Sequence, residues 1–374
     1  MDFVVIVLNL AAVQGLLISF FLYHKRKNHN PNLFIASHTL ITSVVLFVFQ
    51  FKDQNLFISK EVIRYGTFLL LFVSGPLLYL YTTYLTTERK AIDRKVILHF
   101  AALPVSVVIE LLFPHTILYA LDYADQPPPI DAFDRLYLLE VLLILITIVY
   151  VLISFKKVMM FDRRALNLFS NLESANLVWL RNLLAIFSVL LLIHLIDTSF
   201  DYFQIDLQWS EHIMTLGFPI LIYVISYKAL TQPEIFKELR NIEKSKIKPY
   251  KNSSLKDHVA KAHIHRLLSF MEEEKPYLDC NLTIEDLANS LNISRHHLTE
   301  VINKHLNKNF YEFVNGFRLE EVKQLLVNSS KQHITIVGTA FEAGFSSKTT
   351  FNTLFRKETG LTPSAYRKTM NNKV

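Results

Sequence analysis

Apolar runs of about twenty residues recur through the first 230 residues, whereas the rest of the chain mixes apolar and charged positions as a water-soluble helical domain does. Seven of these runs are expected to cross a lipid bilayer as helices. The spans are Phe3–Tyr23, Leu33–Phe51, Val62–Leu85, Val96–Phe113, Leu136–Phe155, Leu177–Phe203 and Ile213–Tyr227. The pattern predicts an all-α chain with a seven-helix transmembrane bundle at 1–230, a polar cytoplasmic linker at 231–258 and a soluble all-α domain at 259–374.

Charge predicts the orientation of the bundle. Lys and Arg cluster on alternate connections, at 25–27, 89–95 and 156–164, and this bias marks the cytoplasmic face. Lys52, Lys60 and Arg64 dilute the bias in one opposite connection without reversing it. The first span has its positive cluster after the apolar run, so we interpret it as an anchor and not as a cleaved signal peptide. With seven spans and the N-terminus outside, a multi-pass protein of the bacterial inner membrane would hold its C-terminal domain in the cytoplasm.

Composition narrows the function of the soluble part. The chain is 51% hydrophobic and 19% charged, with a formal net charge of +6. From Lys228 onward there are about 23 Lys and Arg against about 16 Asp and Glu, and such a surplus attracts nucleic acid or anionic lipid, or simply solubilises the surface. The chain has one cysteine, Cys280, and no metal-ligand spacing, HExxH, GxSxG or phosphate-binding Gly-rich loop. We therefore predict no enzyme activity, no metal and no cofactor.

Several ionisable residues fall within the predicted spans, and five of them are candidates for a functional site. Glu110, Glu140, His194, Asp197 and Asp201 cannot face lipid without a large cost, so they should face protein or water. His194, Asp197 and Asp201 share one helix face because their spacings are three and four. We expect either a polar pocket that senses an unknown small molecule or membrane signal, or pairs that only fix helix packing.

The soluble domain contains a helix, a tight turn and a second helix. Thr283 and Asp286 form a near capping box before an apolar face of Ile284, Leu287, Ala288 and Leu291. After the turn Asn292-Ile293-Ser294, Ser294 can cap a helix with Leu298, Val301 and Ile302 facing inward. A helix-turn-helix presents its second helix to the major groove of DNA. The predicted outward face is Arg295, His296, Thr299, Glu300 and Asn303.

The same pattern returns about fifty residues later, which makes it an internal repeat. Ile336, Ala340 and Phe341 form the apolar pattern of a short helix, and the turn Ala343–Ser346 precedes a helix with Phe351, Leu354 and Phe355 inward. The predicted exposed face carries residue types that hydrogen-bond to bases or phosphates: Lys348, Thr349, Asn352, Thr353 and Arg356. An amphipathic helix over Phe310–Leu326 joins the units, and two recognition helices about 34 Å apart would enter successive major grooves of double-stranded DNA.

At this point the sequence resembles a known family. The segments Ile336–Phe345, Phe355–Lys357 and Gly360–Arg367 match in order and spacing the signature of AraC/XylS transcription regulators, and the stretch Lys275–Leu278 is similar to a membrane-linked branch of that family. The resemblance covers about a hundred residues, from near His263 to Arg367. It implies that helices starting at Arg295 and Ser347 contact bases, and that Arg356, Lys357 and Arg367 have phosphate or structural roles. Gly338 departs from the family's usual alanine.

These features favour a membrane-anchored, sequence-specific transcription regulator. Its expected partners are double-stranded DNA, the lipid bilayer, an unknown signal and a second copy in a possible homodimer. Two alternatives remain open for the membrane half. It could be a transporter or an integral-membrane enzyme with an appended reporter domain, or it could be an inert anchor.

Overall fold

The computed structural model describes the chain in helical stretches. The described residues are 3–25, 29–49, 60–87, 92–101, 130–172, 177–203, 205, 207–231, 255, 257–327 and 333–371. The chain divides into two compact units, Met1–Met160 with Leu177–Lys237, and Phe161–Asn176 with Glu238–Val374. Within the described ranges the secondary structure is helical apart from one isolated β-bridge, between Phe169 and Thr283. The all-α prediction is therefore confirmed for these ranges.

The apolar first part of the chain forms long helices. They are α1 (Phe3–His24), α2 (His29–Phe49), α3 (Lys60–Thr86), α4 (Ile130–Ala165), α5 (Val178–Tyr202) and α6 (Gln208–Thr231), with a 3₁₀ helix at Arg94–Phe100. Six of the seven predicted spans coincide with these helices. Of the predicted span Val96–Phe113, only the part to Ala101 lies within the described residues, and there it is 3₁₀.

Fewer helices have the length and apolar composition of a membrane span than the sequence predicts. Among the described residues there are three, namely Asn30–Val48, Glu140–Ala165 and Val178–Phe200. Two shorter apolar helices, Leu8–His24 and Pro219–Thr231, fall below that length. Many large apolar side chains on the long helices of the first unit point outward, such as Leu10 of α1 at 66% exposure and Leu138 of α4 at 64%. Such a surface is suited to lipid and not to water.

Polar contacts join helices that are far apart in sequence within the first unit. The Lys25 ammonium, at the end of α1, donates to the carbonyls of Ala229 at 2.9 Å and Leu230 at 2.6 Å, near the end of α6. These carbonyls are among the last four of α6 and have no partner in their own helix. The contact brings the C-terminal ends of α1 and α6 together.

The second unit is a domain of short helices. They are α7 (Asp257–Glu273), a 3₁₀ turn at Pro276–Leu278, α8 (Ile284–Ser290), α9 (Arg295–Glu300) with a π-helical extension at Val301–His305, α10 (Phe310–Val327), α11 (Ile336–Glu342), α12 (Lys348–Thr359) and α13 (Pro363–Asn371). One core gathers around α8, α9 and the first half of α10. A second core gathers around α11, α12 and the second half of α10. The predicted linker helix is thus shared by both cores.

One predicted inward residue is wrong. Phe341 is 50% exposed, whereas Ala340 beside it is fully buried. Neighbours in an α-helix point about 100° apart, so Phe341 can point to solvent while Ala340 beside it is buried. The buried face of α11 is formed by Thr339 and Ala340, followed by Ala343 in the turn. Most of the predicted linker at 231–258 lies outside the described residues.

Candidate DNA-binding interface

The two helix-turn-helix units repeat the same hydrogen bonds. Thr283 and Thr335 each cap the first helix of a unit, accepting from the backbone N–H three residues on. In the first turn Ile293 N–H donates to the Ala288 carbonyl at 3.0 Å, and in the second Phe345 N–H donates to the Ala340 carbonyl at 3.0 Å. The same sequence offset relates each pair, so the internal repeat predicted from the sequence is also a structural repeat.

Both turns require a left-handed residue at the same position. Asn292 has φ +48° in the first turn and Gly344 has φ +89° in the second. Asn is one of the few side-chain-bearing residues that adopt this conformation readily. Asn292 is exposed, whereas Gly344 is buried against backbone, where an added Cβ would lie 2.3 Å from the Tyr277 carbonyl oxygen. The second turn therefore needs glycine for space as well as for φ.

The recognition helix of the first unit begins at Arg295. The Ser294 hydroxyl accepts from His297 N–H at 3.2 Å, which confirms the predicted cap. His296 and Asn303 are exposed, and Arg295 and Thr299 are partly exposed. The Thr299 hydroxyl donates to the Arg295 carbonyl at 2.8 Å. The helix therefore presents these four predicted residues at least partly to solvent.

Glu300 does not belong to the predicted outward face. It is 7% exposed and accepts from the Lys304 ammonium at 2.7 Å. This hydrogen bond lowers the pKa of Glu300, so the group is ionised at neutral pH. The prediction was wrong because an i, i+4 partner holds the carboxylate along the helix. The negative charge of Glu300 is thereby paired with a positive charge on the same helix.

The recognition helix of the second unit is α12. Its cap is Ser347, whose hydroxyl accepts from Thr350 N–H at 3.4 Å. Lys348, Asn352 and Arg356 follow one another at i+4 and so share a face. Lys348, Thr349, Thr353 and Arg356 are exposed, and Asn352 is partly exposed. The opposite face carries Phe351 and Phe355, both fully buried. Cationic and amide side chains thus share the solvent side of this helix.

Arg318 organises the domain through its contacts but was not predicted from the sequence. Arg318 lies in the linker helix at 1% exposure, and its guanidinium donates to carbonyls of Tyr277 at 2.7 Å and Asp279 at 2.7 Å. Burial lowers its pKa to about 10, which leaves it protonated at neutral pH. The signal was its position four residues after Val314 and four before Val322, on the apolar stripe of α10.

The candidate sensing residues are brought together in part. His194 Nε2 of α5 lies 3.5 Å from Glu140 Oε1 of α4. Asp197 is partly exposed one turn further along α5. Asp201 lies in the same helix, but its side chain is outside the described part of the structure, and Glu110 is wholly outside it. The structure therefore brings two of the described candidates, Glu140 of α4 and His194 of α5, into polar contact.

Two helix-turn-helix units on a shared linker helix place the second unit of the chain in the helix-turn-helix class of DNA-binding domains. A family model described as a helix-turn-helix domain matches residues 287–369. Taken with the similar regulators, this match identifies the C-terminal domain as an AraC/XylS-type DNA-binding domain. No solved structure matches the chain significantly.

Three curated proteins illustrate the similarity. An uncharacterised helix-turn-helix-type transcriptional regulator of Escherichia coli strain K12 is 33% identical over 85 residues, covering 23% of this chain and 29% of that protein. The raffinose operon transcriptional regulatory protein of Pediococcus pentosaceus is 33% identical over 88 residues, covering 24% and 31%. The melibiose operon regulatory protein of E. coli K12 is 27% identical over 109 residues, covering 29% and 34%. The match thus spans about a third of each of these relatives.

Proposed function

We propose that this protein is a membrane-anchored transcription regulator that binds a bipartite DNA site through α9 and α12. The observation that carries the proposal is the structural repeat, in which two capped helices present polar and cationic residues while their other faces fill two cores joined by α10. An 18-residue helix is about 27 Å long, which suits recognition helices placed one DNA turn apart. The relatives' names, which refer to operon regulation, support the same role.

Within α12 the side chains suit different contacts. Arg356 and Lys348 supply positive charge for phosphates or guanine, and the Asn352 amide matches the donor and acceptor of adenine. Thr349 and Thr353 of α12 are further predicted contacts. In the first unit the corresponding candidates are Arg295, His296, Thr299 and Asn303. We propose these nine residues as the DNA-binding surface.

Replacing Arg356 by alanine should weaken DNA binding by about 1–3 kcal/mol, roughly fivefold to 150-fold in Kd. If Arg356 contacts a phosphate, the dependence of log K on log salt should also fall by about one unit, with equal loss on all sequences. The measurement uses the full chain in lipid nanodiscs and duplexes selected by it from a randomised pool.

A matched control removes a cation elsewhere in the same domain. Lys323 of α10 is paired with Glu320 at 2.7 Å, so Lys323→Ala should change the affinity by less than about twofold. If selection recovers no preferred sequence and binding is insensitive to salt, the regulator proposal fails.

We further propose that the chain is a multi-pass protein of the bacterial inner membrane with its C-terminal domain in the cytoplasm. The alternating Lys and Arg clusters, the apolar helices and the contact between the ends of α1 and α6 support this placement. Seven spans with domains at 1–230, 231–258 and 259–374 remain our proposal for the whole chain, which would form homodimers.

We propose that the membrane helices sense a small molecule or a membrane state through Glu140, His194 and Asp197, with Glu110 and Asp201 as further candidates. The partly buried polar pair between α4 and α5 supports this role, because ionisable residues in a membrane helix are costly unless they serve packing or function. Binding can alter the output only by favouring one of two conformations of these helices.

Asp197→Asn should change transcription of a gene controlled by the selected site by at least about threefold, with unchanged amounts of protein in the membrane. The control on the same helix is Ser199→Ala. It removes a hydroxyl that donates to the Leu195 carbonyl of its own helix. Equal reporter output from both variants would contradict the sensing role.

A further inference from the structure

The short connection between α4 and α5 is part of the DNA-binding unit. Its residues Leu166–Ser170, here called the interhelical segment, belong to the same compact unit as the helix-turn-helix domain. The segment follows directly from α4 and precedes α5 in the chain, and both helices include stretches long and apolar enough to cross a membrane. A connection between two candidate spans therefore contacts residues of the helix-turn-helix domain that are more than a hundred positions later in the sequence.

Backbone hydrogen bonds hold the interhelical segment at two helix N-termini. Ile284 N–H, the first of α8, donates to the Leu168 carbonyl at 3.0 Å, and Ser170 N–H donates back to the Leu282 carbonyl at 3.2 Å. These bonds flank the antiparallel bridge between Phe169 and Thr283. Near the start of α10, Tyr311 N–H donates to the Leu166 carbonyl at 3.0 Å. The first N–H groups of a helix have no partner within it, so the segment satisfies donors of both helices.

Ser170 adds a buried side-chain contact. Its hydroxyl donates to the Leu282 carbonyl at 2.6 Å and accepts from Arg318 Nη2 at 3.0 Å. Its carbonyl accepts from Arg318 Nη1 at 3.1 Å and from the Asn315 amide at 3.1 Å. Ser170 and Arg318 are each 1% exposed. A buried guanidinium needs acceptors for its donors, and the interhelical segment supplies two of them.

Apolar packing completes the contact. Leu168 packs against the core of the first helix-turn-helix unit, and Phe169 is 3% exposed. The interhelical segment thus touches α8, which precedes the first recognition helix, and α10, which leads to the second unit. If the interhelical segment left, the N-terminal N–H groups of α8 and α10 and the buried Arg318 guanidinium would need other hydrogen-bond partners.

We propose that the interhelical segment transmits the state of α4 and α5 to the DNA-binding domain, by binding to the groove between α8 and α10 and being released from it. This inference rests on the proposed function and names its route of regulation. In the bound state the segment fixes α8 relative to α10, which sets the first recognition helix relative to the second. When the segment is released, α8 can move relative to α10, and the affinity for a bipartite DNA site falls.

The first experiment weakens the contact through Ser170→Ala in the full chain in nanodiscs. Hydrogen exchange of peptides containing Ile284 and Tyr311 should become about tenfold faster, and Kd for the selected duplex should rise about tenfold, because one donor of a buried guanidinium loses its acceptor. Ser290→Ala is the matched control, since the Ser290 hydroxyl donates to the Asp286 carbonyl on the exposed side of α8. It should leave both measurements within about twofold.

The second experiment locks the segment in place. In the bridge, Phe169 and Thr283 form a non-hydrogen-bonded antiparallel pair, whose Cα atoms lie about 4.5 Å apart, within the range of a disulfide. The variant Phe169→Cys with Thr283→Cys, in a Cys280→Ser background, should bind DNA at least fivefold more tightly when oxidised than when reduced. The reduced form is its own control for the lost side chains.

The outcomes separate the inference from the proposed function. Unchanged exchange at Ile284 and Tyr311 in Ser170→Ala would show that the segment is not held there, and faster exchange with equal DNA affinity would show a purely structural contact. Either result overturns the inference while wild-type DNA binding stands. If no form binds DNA, the proposed function fails and the inference fails with it.

Discussion

Replacing Gly344 by alanine should destabilise the second helix-turn-helix unit by about 2–5 kcal/mol. Two costs add at this position. A side chain at φ +89° is strained, and the new Cβ would lie 2.3 Å from the Tyr277 carbonyl oxygen and 2.9 Å from Leu278 backbone atoms. Backbone cannot yield as a flexible side chain does, so the turn must move away from the 3₁₀ turn at Pro276–Leu278.

Gly360→Ala is the control for the strain of a side chain at positive φ alone. Gly360 has φ +72° at the end of α12, and no atom beyond its two chain neighbours lies within 4 Å of a Cβ built on it. Gly360→Ala should therefore cost only about 1–2 kcal/mol. Hydrogen exchange of the α12 amides in the full chain measures both opening free energies. Equal losses in the two variants would show that contact with the Tyr277 carbonyl adds nothing.

Local signals in the sequence were sufficient to predict the helix-turn-helix repeat. Thr283, Asp286 and Ser294 form caps that depend on residues three positions away, and the inward apolar spacing of α8, α10 and α12 agrees with the observed cores. Phe341 and Glu300 were misplaced for a different reason. A face is decided by what packs against a helix, and the spacing of one short helix leaves its boundary residues open.

Long-range contacts explain what the sequence could not reveal. Apolar length predicted where the helices of the first half lie, but composition has no information about which connection packs onto which domain. The pairing of Ser170 with Arg318 joins residues 148 positions apart. Arg318 on an apolar stripe signals that a buried charge needs acceptors, without naming them. Likewise, the apolar runs predicted that Glu140 and His194 lie in membrane spans, but they did not predict the contact between the two side chains at 3.5 Å.

Arg318→Ala should destabilise the DNA-binding domain by about 3–5 kcal/mol. The guanidinium makes five hydrogen bonds among buried or partly buried groups, to Tyr277, Asp279, Asn315 and twice to Ser170. Alanine leaves these acceptors without their donors and creates a cavity between α10 and the 3₁₀ turn. No carboxylate is among these five acceptors, so the energy at stake comes from hydrogen bonds of a charged donor and not from an ion pair.

Arg318→Lys tests whether the geometry of the fork matters. Lysine keeps the positive charge, but its donors radiate from one nitrogen and cannot reach the Tyr277 and Asp279 carbonyls together with Ser170. We expect a loss of about 2 kcal/mol, between that of alanine and the wild type. Exchange of the α10 amides in the full chain reports both variants, with Lys323→Ala on the same helix as the control for loss of a cation.

If the lysine variant were as stable as the wild type, charge alone would account for the role of Arg318. If alanine cost less than about 1 kcal/mol, the buried network would not support the domain, because a single surface ion pair contributes that much.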